Sequence, residues 1–414
     1  MSSPSDDPFG LLVIGSGPAG VHAAVAYVRA DGPGSVCLVS ADVDEPYERP
    51  PLSKAVLAGE EPPQVSPILE DEDDLRALAR VRVELDTPVE HLDVDRRVVR
   101  CRGGRELTYE RLVVATGSHP TPLPGVDSQA PVFLLRSLEQ ARELVACAEQ
   151  AASALVVGSG FIGCEAAASL ARRGIHTVLV TPEDAPQAKR LGDWAGSRIA
   201  AWLEELDVEV RTGVSVESVE RSGTVVLDDG ARVGADVVLA AVGVTQHQSF
   251  LADSGLRIEG GRLVVDSSLR TSDHHVWAAG DVARAHHSGV GRHLAVEHWG
   301  DAMTMGQLAG RNAASEGGAD GETDDWSDPP GFWSEIGEHT LKYSAWGDGF
   351  EDAVVVEHGE GAFTVWYADA AGELVGVLTH DRDEDYERGG ELLADRAQAA
   401  EVTRDTSRPT YGKN

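Results

Sequence analysis

Lysine is nearly missing from this chain. It occurs only at Lys54, Lys189, Lys342 and Lys413, while Lys and Arg together number 35. The arginine bias reads as a habit of the genome, but it makes Lys54, at the end of "PYERPPLSK", conspicuous. Cysteine is scarce too: Cys37, Cys101, Cys147 and Cys164, with no C-x-x-C or other close pair. That excludes a disulfide framework and a structural zinc site, and each thiol reads as a small buried apolar residue. No apolar run reaches the roughly 18 residues that a membrane helix needs. The opening "MSSPSDDPFG" has neither a basic n-region nor an apolar h-region, so no signal peptide is expected. Positive charge is short overall, with 69 Asp and Glu and a formal net charge of −34. Such a surface repels nucleic acid and anionic membranes. The expectation is a soluble cytoplasmic protein, monomer or homodimer, of two or three domains for its 414 residues.

Against these absences stands an abundance of glycine, 45 residues. "FGLLVIGSGPAGVHAAVAYVRA" is a short apolar strand, a Gly15-Ser16-Gly17-Pro18-Ala19-Gly20 turn and a small-residue helix. The first glycine permits the tight turn and the second lets backbone approach a pyrophosphate. The third lets helix pack on strand, and the helix N-terminus faces the phosphate charge. "SVCLVS" supplies the next strand, and Asp42, 22 residues beyond Gly20, is the candidate acid for a ribose hydroxyl. The pattern recurs in "ALVVGSGFIGCEAAASLARRGIHTVLV", around Gly158, Gly160 and Gly163. Two such units imply two dinucleotides, most simply a flavin and a nicotinamide. "YERLVVATGSHP" reads as a strand running into a small-residue crossover. "TSDHHVWAAGDVA" reads as a strand ending at Gly280-Asp281, where an acid can hold a ribityl hydroxyl.

The order of Gly15–Gly20, "ERPPLSK", "ATGSHP", Gly158–Gly163, "AVGV" and "AAGDV" resembles the FAD-dependent NAD(P)H:ferredoxin and rubredoxin reductases, over roughly residues 10–390. "VEHWGDAMTMGQLAGR" and "PGFWSEIGEHTLKY" are similar to the apoptosis-inducing-factor branch. The resemblance implies an α/β fold with two Rossmann-like dinucleotide-binding domains and a C-terminal α+β domain. The implied FAD contacts are Gly15, Gly17, Pro18, Ala19, Arg49, Lys54, Val89, Arg136, Asp281, His298 and Trp299. The implied nicotinamide contacts are Gly160, Ile162, Gly243, Glu297 and Trp333. It also implies that Lys54 stands near flavin N5 and O4, paired with Glu165, where disulfide-reducing cousins carry a cysteine pair. An ammonium there stabilises negative charge on a reduced flavin.

Two departures from the family pattern matter. Thr181 occupies the strand end where NADH enzymes place an acid, and Glu183 follows two residues later. Lys189 and Arg190 stand near enough in sequence to meet a 2′-phosphate, so NADH and NADPH both remain open. The Phe-Trp-Ser motif continues as Glu335-Ile336-Gly337 rather than Asp-Gln-aromatic, in a segment that the family turns toward its acceptor. An acidic ferredoxin docking on this acidic chain needs a local basic patch, and Arg284, His286, His287, Arg292 and His293 offer one. These histidines lack metal-ligand spacing, and no metal is expected.

The expected division is an FAD domain over 8–118 and 242–318, an inserted NAD(P) domain over 119–241, and a C-terminal reductase-type domain over 327–405. In the last, "LKYSAWG", "DAVVVEHG", "FTVWYAD" and "ELVGVLTH" read as antiparallel strands, "DEDYERGGELLAD" as a closing helix and the final dozen residues as a loose tail. The function expected is electron transfer from NAD(P)H through FAD to a ferredoxin- or rubredoxin-like protein. The alternatives are a redox-sensing flavoprotein forming a charge-transfer complex with NADH, and a direct quinone or oxygen reductase.

Overall fold

The computed structural model describes residues 7–246, 248–315, 323–403 and 410–412. The chain divides into two units. The first gathers Met1–Glu48, Val65–His119 and Thr245–Pro330; the second gathers Arg49–Gln64, Pro120–Val244 and Gly331–Asn414. The start of the acidic, Gly- and Pro-containing stretch "GGADGETDDWSDPP", which reads as a linker, and most of the C-terminal tail lie outside the described residues.

The first unit is built on a five-stranded parallel sheet. Its order is Val276–Ala278, Leu112–Val114, Leu11–Ile14, Val36–Val39 and Val81–Glu84. The strands Leu11–Ile14, Val36–Val39 and Leu112–Val114 are buried at every position. That is why they read in sequence as unbroken apolar runs rather than alternating ones. The second unit repeats the layout: Glu209–Arg211, His176–Val180, Ser153–Val157, Val237–Ala240 and Val132–Phe133, again all parallel. Each unit also carries a three-stranded antiparallel meander. In the first it is Val89–Asp93, Val98–Cys101 and Glu106–Thr108; in the second, Val216–Val219, Thr224–Leu227 and Arg232–Gly234. The second meander closes a core of Leu155, Val157, Val178, Val180, Val225, Leu227 and Val238.

The helices Pro18–Arg29 and Phe161–Arg172 follow the central strands. Their close seating depends on glycine: a Cβ on Gly20 would lie 1.9 Å from the Gly15 carbonyl oxygen, and one on Gly163 2.0 Å from that of Gly158. In the first unit a second glycine pair brings two helices together. Gly306 and Gly310, on Trp299–Ser315, lie so close to Ala19 and Ala23 that added Cβ atoms would fall 2.3 and 2.2 Å from those carbonyl oxygens.

The C-terminal segment forms a six-stranded antiparallel sheet in the second unit. Its order is Gly331–Ile336, His339–Ala345, Leu374–His380, Ala362–Ala368, Asp352–Gly359 and Thr410–Gly412. The helix Asp383–Ala394 packs on it through Leu393 and through Gly389, which lies against Val377. Trp346 and Trp366 are buried, as packing residues. Of the four cysteines, all free, Cys37, Cys101 and Cys164 are buried. Cys147 departs from the expected burial, since its position late in the helix Leu138–Ala148 leaves it half-buried. No helix among the described residues is long and apolar enough to cross a membrane.

Candidate functional site

The two fingerprint helices begin differently from the capped helices Glu72–Leu78 and Leu138–Ala148. Glu72–Leu78 starts with the Asp71 carboxylate accepting from the amides of Asp73 and Asp74 at 2.9 and 3.0 Å. Leu138–Ala148 starts with a Ser137/Gln140 capping box. Pro18–Arg29 and Phe161–Arg172 start on Gly17 and Gly160, with no side-chain cap and no acid in the first turn. Their first-turn amides are left for an external acceptor, and the helix dipole selects an anionic one. Gly160 has room for it, since an added Cβ would meet nothing nearer than the Ala241 oxygen at 4.0 Å. In the first unit the crossover Ala115-Thr116-Gly117 adds a polar group suited to a ligand. The buried Thr116 hydroxyl has no hydrogen-bond partner among the described residues. These features fit two dinucleotide phosphates.

Behind each helix start runs the same relay. In the first unit the Ser16 and Ser40 hydroxyls bond at 2.7 Å, and Ser40 accepts from the Asp42 amide at 3.1 Å. Tyr47 then donates to the Asp42 carboxylate at 2.8 Å. In the second, Ser159 and Thr181 bond at 2.8 Å and Thr181 accepts from the Glu183 amide at 3.2 Å. The Lys189 amide donates to the Glu183 carboxylate at 2.8 Å. Thr181 thus occupies the usual acid position but serves the acid two residues on. The Arg190 guanidinium lies 5.8 Å from the Phe161 ring centroid, a cation–π distance, and Phe161 meets Phe332 edge-on at 4.6 Å.

Lys54 and Glu165 meet as expected: Nζ stands 2.9 Å from Oε2, in a site where the side chains are 14% and 6% exposed. The lysine is delivered by a short segment, a 3-10 turn Pro50–Ser53 followed by the helix Ala55–Ala58. The fingerprint helix grips this segment. Ser169 Oγ donates to the Ser53 carbonyl at 2.8 Å, and Arg173 donates to the Leu57 and Val56 carbonyls at 2.9 and 3.3 Å. Two serines that sequence reasoning missed also reach the carboxylate. Ser53 donates to Oε2 at 2.5 Å and Ser334 to Oε1 at 2.6 Å. The signals were present, though faint: Ser53 directly precedes the lysine, and Ser334 is the serine of the Phe-Trp-Ser motif. Next to Glu165, burial pushes the Cys164 thiol up, and the carboxylates of Glu165 and Glu183 add to the effect. It is a neutral packing group.

The remaining candidates divide by unit. The first holds Gly15, Gly17, Pro18, Ala19, Asp42, Val89, Asp281, Glu297, His298 and Trp299; the second holds Arg49, Lys54, Arg136, Gly160, Ile162, Glu165, Glu183, Gly243 and Trp333. Asp281 is buried, its carboxylate accepting from Ser118 at 2.6 Å and its carbonyl from Arg262 at 3.0 Å. Glu297 pairs with Arg262 and accepts from Gln246 at 2.9 Å. His298 bonds Asp301 at 2.8 Å, at the head of the helix that Trp299 begins. Gly243 has φ of 104°, a conformation that favours glycine. Ile162 and Trp333, 38% and 40% exposed, are among the few large apolar side chains left in solvent.

The expected basic patch is smaller than its sequence suggests. On the strand Ala283–His287, alternate side chains face inward, so His287 is fully buried, against Trp326 and bonded to the Asp328 carbonyl at 3.0 Å. Arg284 is paired with Glu259 at 3.1 Å. His286 and His293 remain together on the outer face, their rings 5.3 Å apart. Among the described residues no cluster of three or more His, Cys, Asp or Glu could hold a metal.

Comparison with known proteins matches residues 9–306 to the pyridine nucleotide-disulphide oxidoreductase family. A rubredoxin-NAD(+) reductase of Pseudomonas putida is 29% identical over 337 residues, 80% of this chain and 85% of that one. Human apoptosis-inducing factor 3 is 27% identical over 391 residues, 93% of this chain and 63% of that one. Among solved structures, the covalent putidaredoxin reductase–putidaredoxin complex superimposes with a TM-score of 0.83 at 26% identity, covering 95% of this chain and 94% of the reductase.

Proposed function

The chain belongs to the pyridine nucleotide-disulphide oxidoreductase family, and on that premise we propose that it is an NADH-dependent FAD oxidoreductase serving a small iron–sulfur protein of the ferredoxin or rubredoxin kind. One observation carries the reading. The segment that disulfide-reducing relatives use for a redox cysteine pair holds no cysteine here, and presents instead a largely enclosed Lys54 amine paired with the buried Glu165 at 2.9 Å. Thiol–disulfide exchange is thereby removed from the segment, and a fixed positive charge is supplied in its place.

Bound FAD supplies the conversion of a two-electron hydride into single electrons. The protein's own part is binding and orientation. The uncapped starts at Gly17 and Gly160 take the two pyrophosphates. Asp42 and Glu183 are set by their relays to receive ribose hydroxyls. Glu183 supports NADH over NADPH, since an anion there repels a 2′-phosphate, and the nicotinamide relative named above is NAD(+)-dependent. Lys54 stabilises negative charge that develops on the reduced ring. The proposal carries with it the three-domain division set out from sequence, a cytoplasmic location and a monomer or homodimer with no nucleic-acid or membrane partner.

The test is anaerobic reduction of the purified yellow protein by NADH and NADPH in turn, followed by mixing with candidate acceptors. Rapid bleaching by NADH and cytochrome c reduction that depends on added ferredoxin are expected. A persistent long-wavelength band with a change in molecular size, and no ferredoxin-dependent turnover, would overturn the reductase assignment in favour of redox sensing.

A further inference from the structure

The Glu165 carboxylate has more donors than an ion pair requires. Ser334 Oγ donates to Oε1 at 2.6 Å, while Ser53 Oγ and Lys54 Nζ share Oε2 at 2.5 and 2.9 Å. Ser334 is 0% exposed, Glu165 5% and Ser53 7%. The donors come from two separate parts of the chain, the segment after Arg49 and the first C-terminal strand, and they converge on an acceptor carried by a third, the fingerprint helix.

We propose that Ser53 and Ser334 are positioning residues that fix the Glu165 carboxylate and, through it, the direction of the Lys54 ammonium. Three physical points support this. Hydroxyl–carboxylate bonds of this length are charge-assisted and about twice as strong as neutral ones. A carboxylate whose two oxygens are both engaged cannot turn about its terminal bond, so its lysine partner has one geometry rather than several. The positions are also expensive ones for polar groups. Ser334 faces inward on a strand whose next inward residue is the fully buried Ile336. An apolar residue there would give the sheet more stability, because buried ion pairs and their supports rarely outperform hydrophobic packing. The backbone supports the same aim. The Ser53 carbonyl is held by Ser169, one turn along the helix from Glu165, so the residue before the lysine is pinned through main chain and side chain at once.

Without Ser334, Oε1 is left buried with no donor, and the carboxylate turns both oxygens to Lys54, drawing the ammonium toward the helix. This inference rests on the reading that Lys54 acts on the bound flavin, and the experiment separates the two. Holoenzyme of the wild type, Ser334→Ala, Ser334→Thr, Ser53→Ala and the charge-neutral double variant Lys54→Met/Glu165→Gln is compared in single-turnover reduction by NADH. A spectroelectrochemical titration of the flavin accompanies it. The alanine variants are expected to slow reduction roughly tenfold or more, the loss of one hydrogen bond to a charged group, and to move the flavin potential to a more negative value. Ser334→Thr, which keeps the hydroxyl, is expected to restore both. Wild-type rate and potential in the alanine variants, or no recovery in the threonine variant, overturn the positioning role. Should Ser334→Ala fail to fold, Ser53→Ala decides the matter. If the double variant moves both quantities while the serine variants do not, the proposal fails alone. If the double variant also matches wild type, the assignment of Lys54 to the flavin fails and the proposal with it.

Discussion

The two dinucleotide-type sheets of this molecule are near copies in layout and differ in where they obtain their parts. Both place the fingerprint strand at the centre of five parallel strands, and both insert an antiparallel meander between an edge strand and the strand beside the fingerprint strand. Both run a serine–hydroxyl–acid relay behind the helix start. The outer strand beside the fourth differs. In the first unit it comes late, from Val276–Ala278; in the second it comes early, from Val132–Phe133, before the fingerprint itself. The sheet order is therefore a property of the packing problem, and the chain order is free to vary around it. The relays differ as well. The first ends on a Tyr47 phenol, a side chain, while the second ends on a backbone amide at Lys189.

The harshest way to break the comparison is to fill the third glycine of each fingerprint. Gly20→Ala and Gly163→Ala each force a methyl to within 2 Å of a carbonyl oxygen, and each should cost about 3 kcal/mol or more locally. The outcomes should differ in kind. Gly20→Ala should yield a colourless protein, whereas Gly163→Ala should stay yellow but resist reduction by NADH. Flavin absorbance and an NADH titration check both.

A milder intervention tests the relays. Ser40→Ala and Thr181→Val each remove a hydroxyl that accepts from the acid's amide. Loss of about 1 kcal/mol should raise the flavin dissociation constant about fivefold in the first case. In the second it should raise the KM for NADH by about the same factor with kcat unchanged. Equal effects on both ligands from either variant would contradict the separation of the two sites.

The smallest expected effect is confined to the second unit. The Asp236 carboxylate accepts from the Ala152 amide and from the Ser153 hydroxyl and amide, all at 2.9 to 3.0 Å, at the start of the central strand. These bonds hold it below the usual carboxylate range. A group depressed in the folded state contributes its stability above the unfolded value and loses it as pH falls through the folded one. Asp236→Ala should therefore lower the thermal midpoint slightly at neutral pH. The difference should shrink as pH falls below the ordinary aspartate range and through the depressed folded-state value, as read by melting curves across pH.

Much of this was legible in the chain itself. Parallel strands buried on both faces must be apolar throughout, so "LLVI", "VCLV" and "VVLA" could hardly be anything else. Four of the six antiparallel C-terminal strands and the helix after them stand where turn residues and alternation place them, whereas Gly331–Ile336 carries no such mark and Thr410–Gly412 pairs with Asp352–Val354 inside the stretch expected to be a loose tail. The Lys54–Glu165 contact followed from family resemblance rather than from spacing. What stayed hidden depends on distant pairing. Ser53 and Glu165 are 112 positions apart and Ser334 and Glu165 169 apart, and no local pattern links them. His287 was misread as a surface group because its neighbours His286 and His293 are outward; only the strand's alternation puts it inside. The membership of Arg49–Gln64 in the second unit likewise has no local signature, since it is set by what the fingerprint helix grips.

That membership has a bearing on biosynthesis. No uninterrupted fragment of the polypeptide contains the whole second unit without also spanning most of the first, because sixteen early residues belong to it. A ribosome releases Lys54 long before the helix that receives it and longer still before Ser334, so the nascent amine waits through nearly three hundred further additions for its last neighbour. A truncation beginning at Pro120 would leave Glu165 interred without its cation, and should be recovered as an insoluble or protease-sensitive species rather than as a working half.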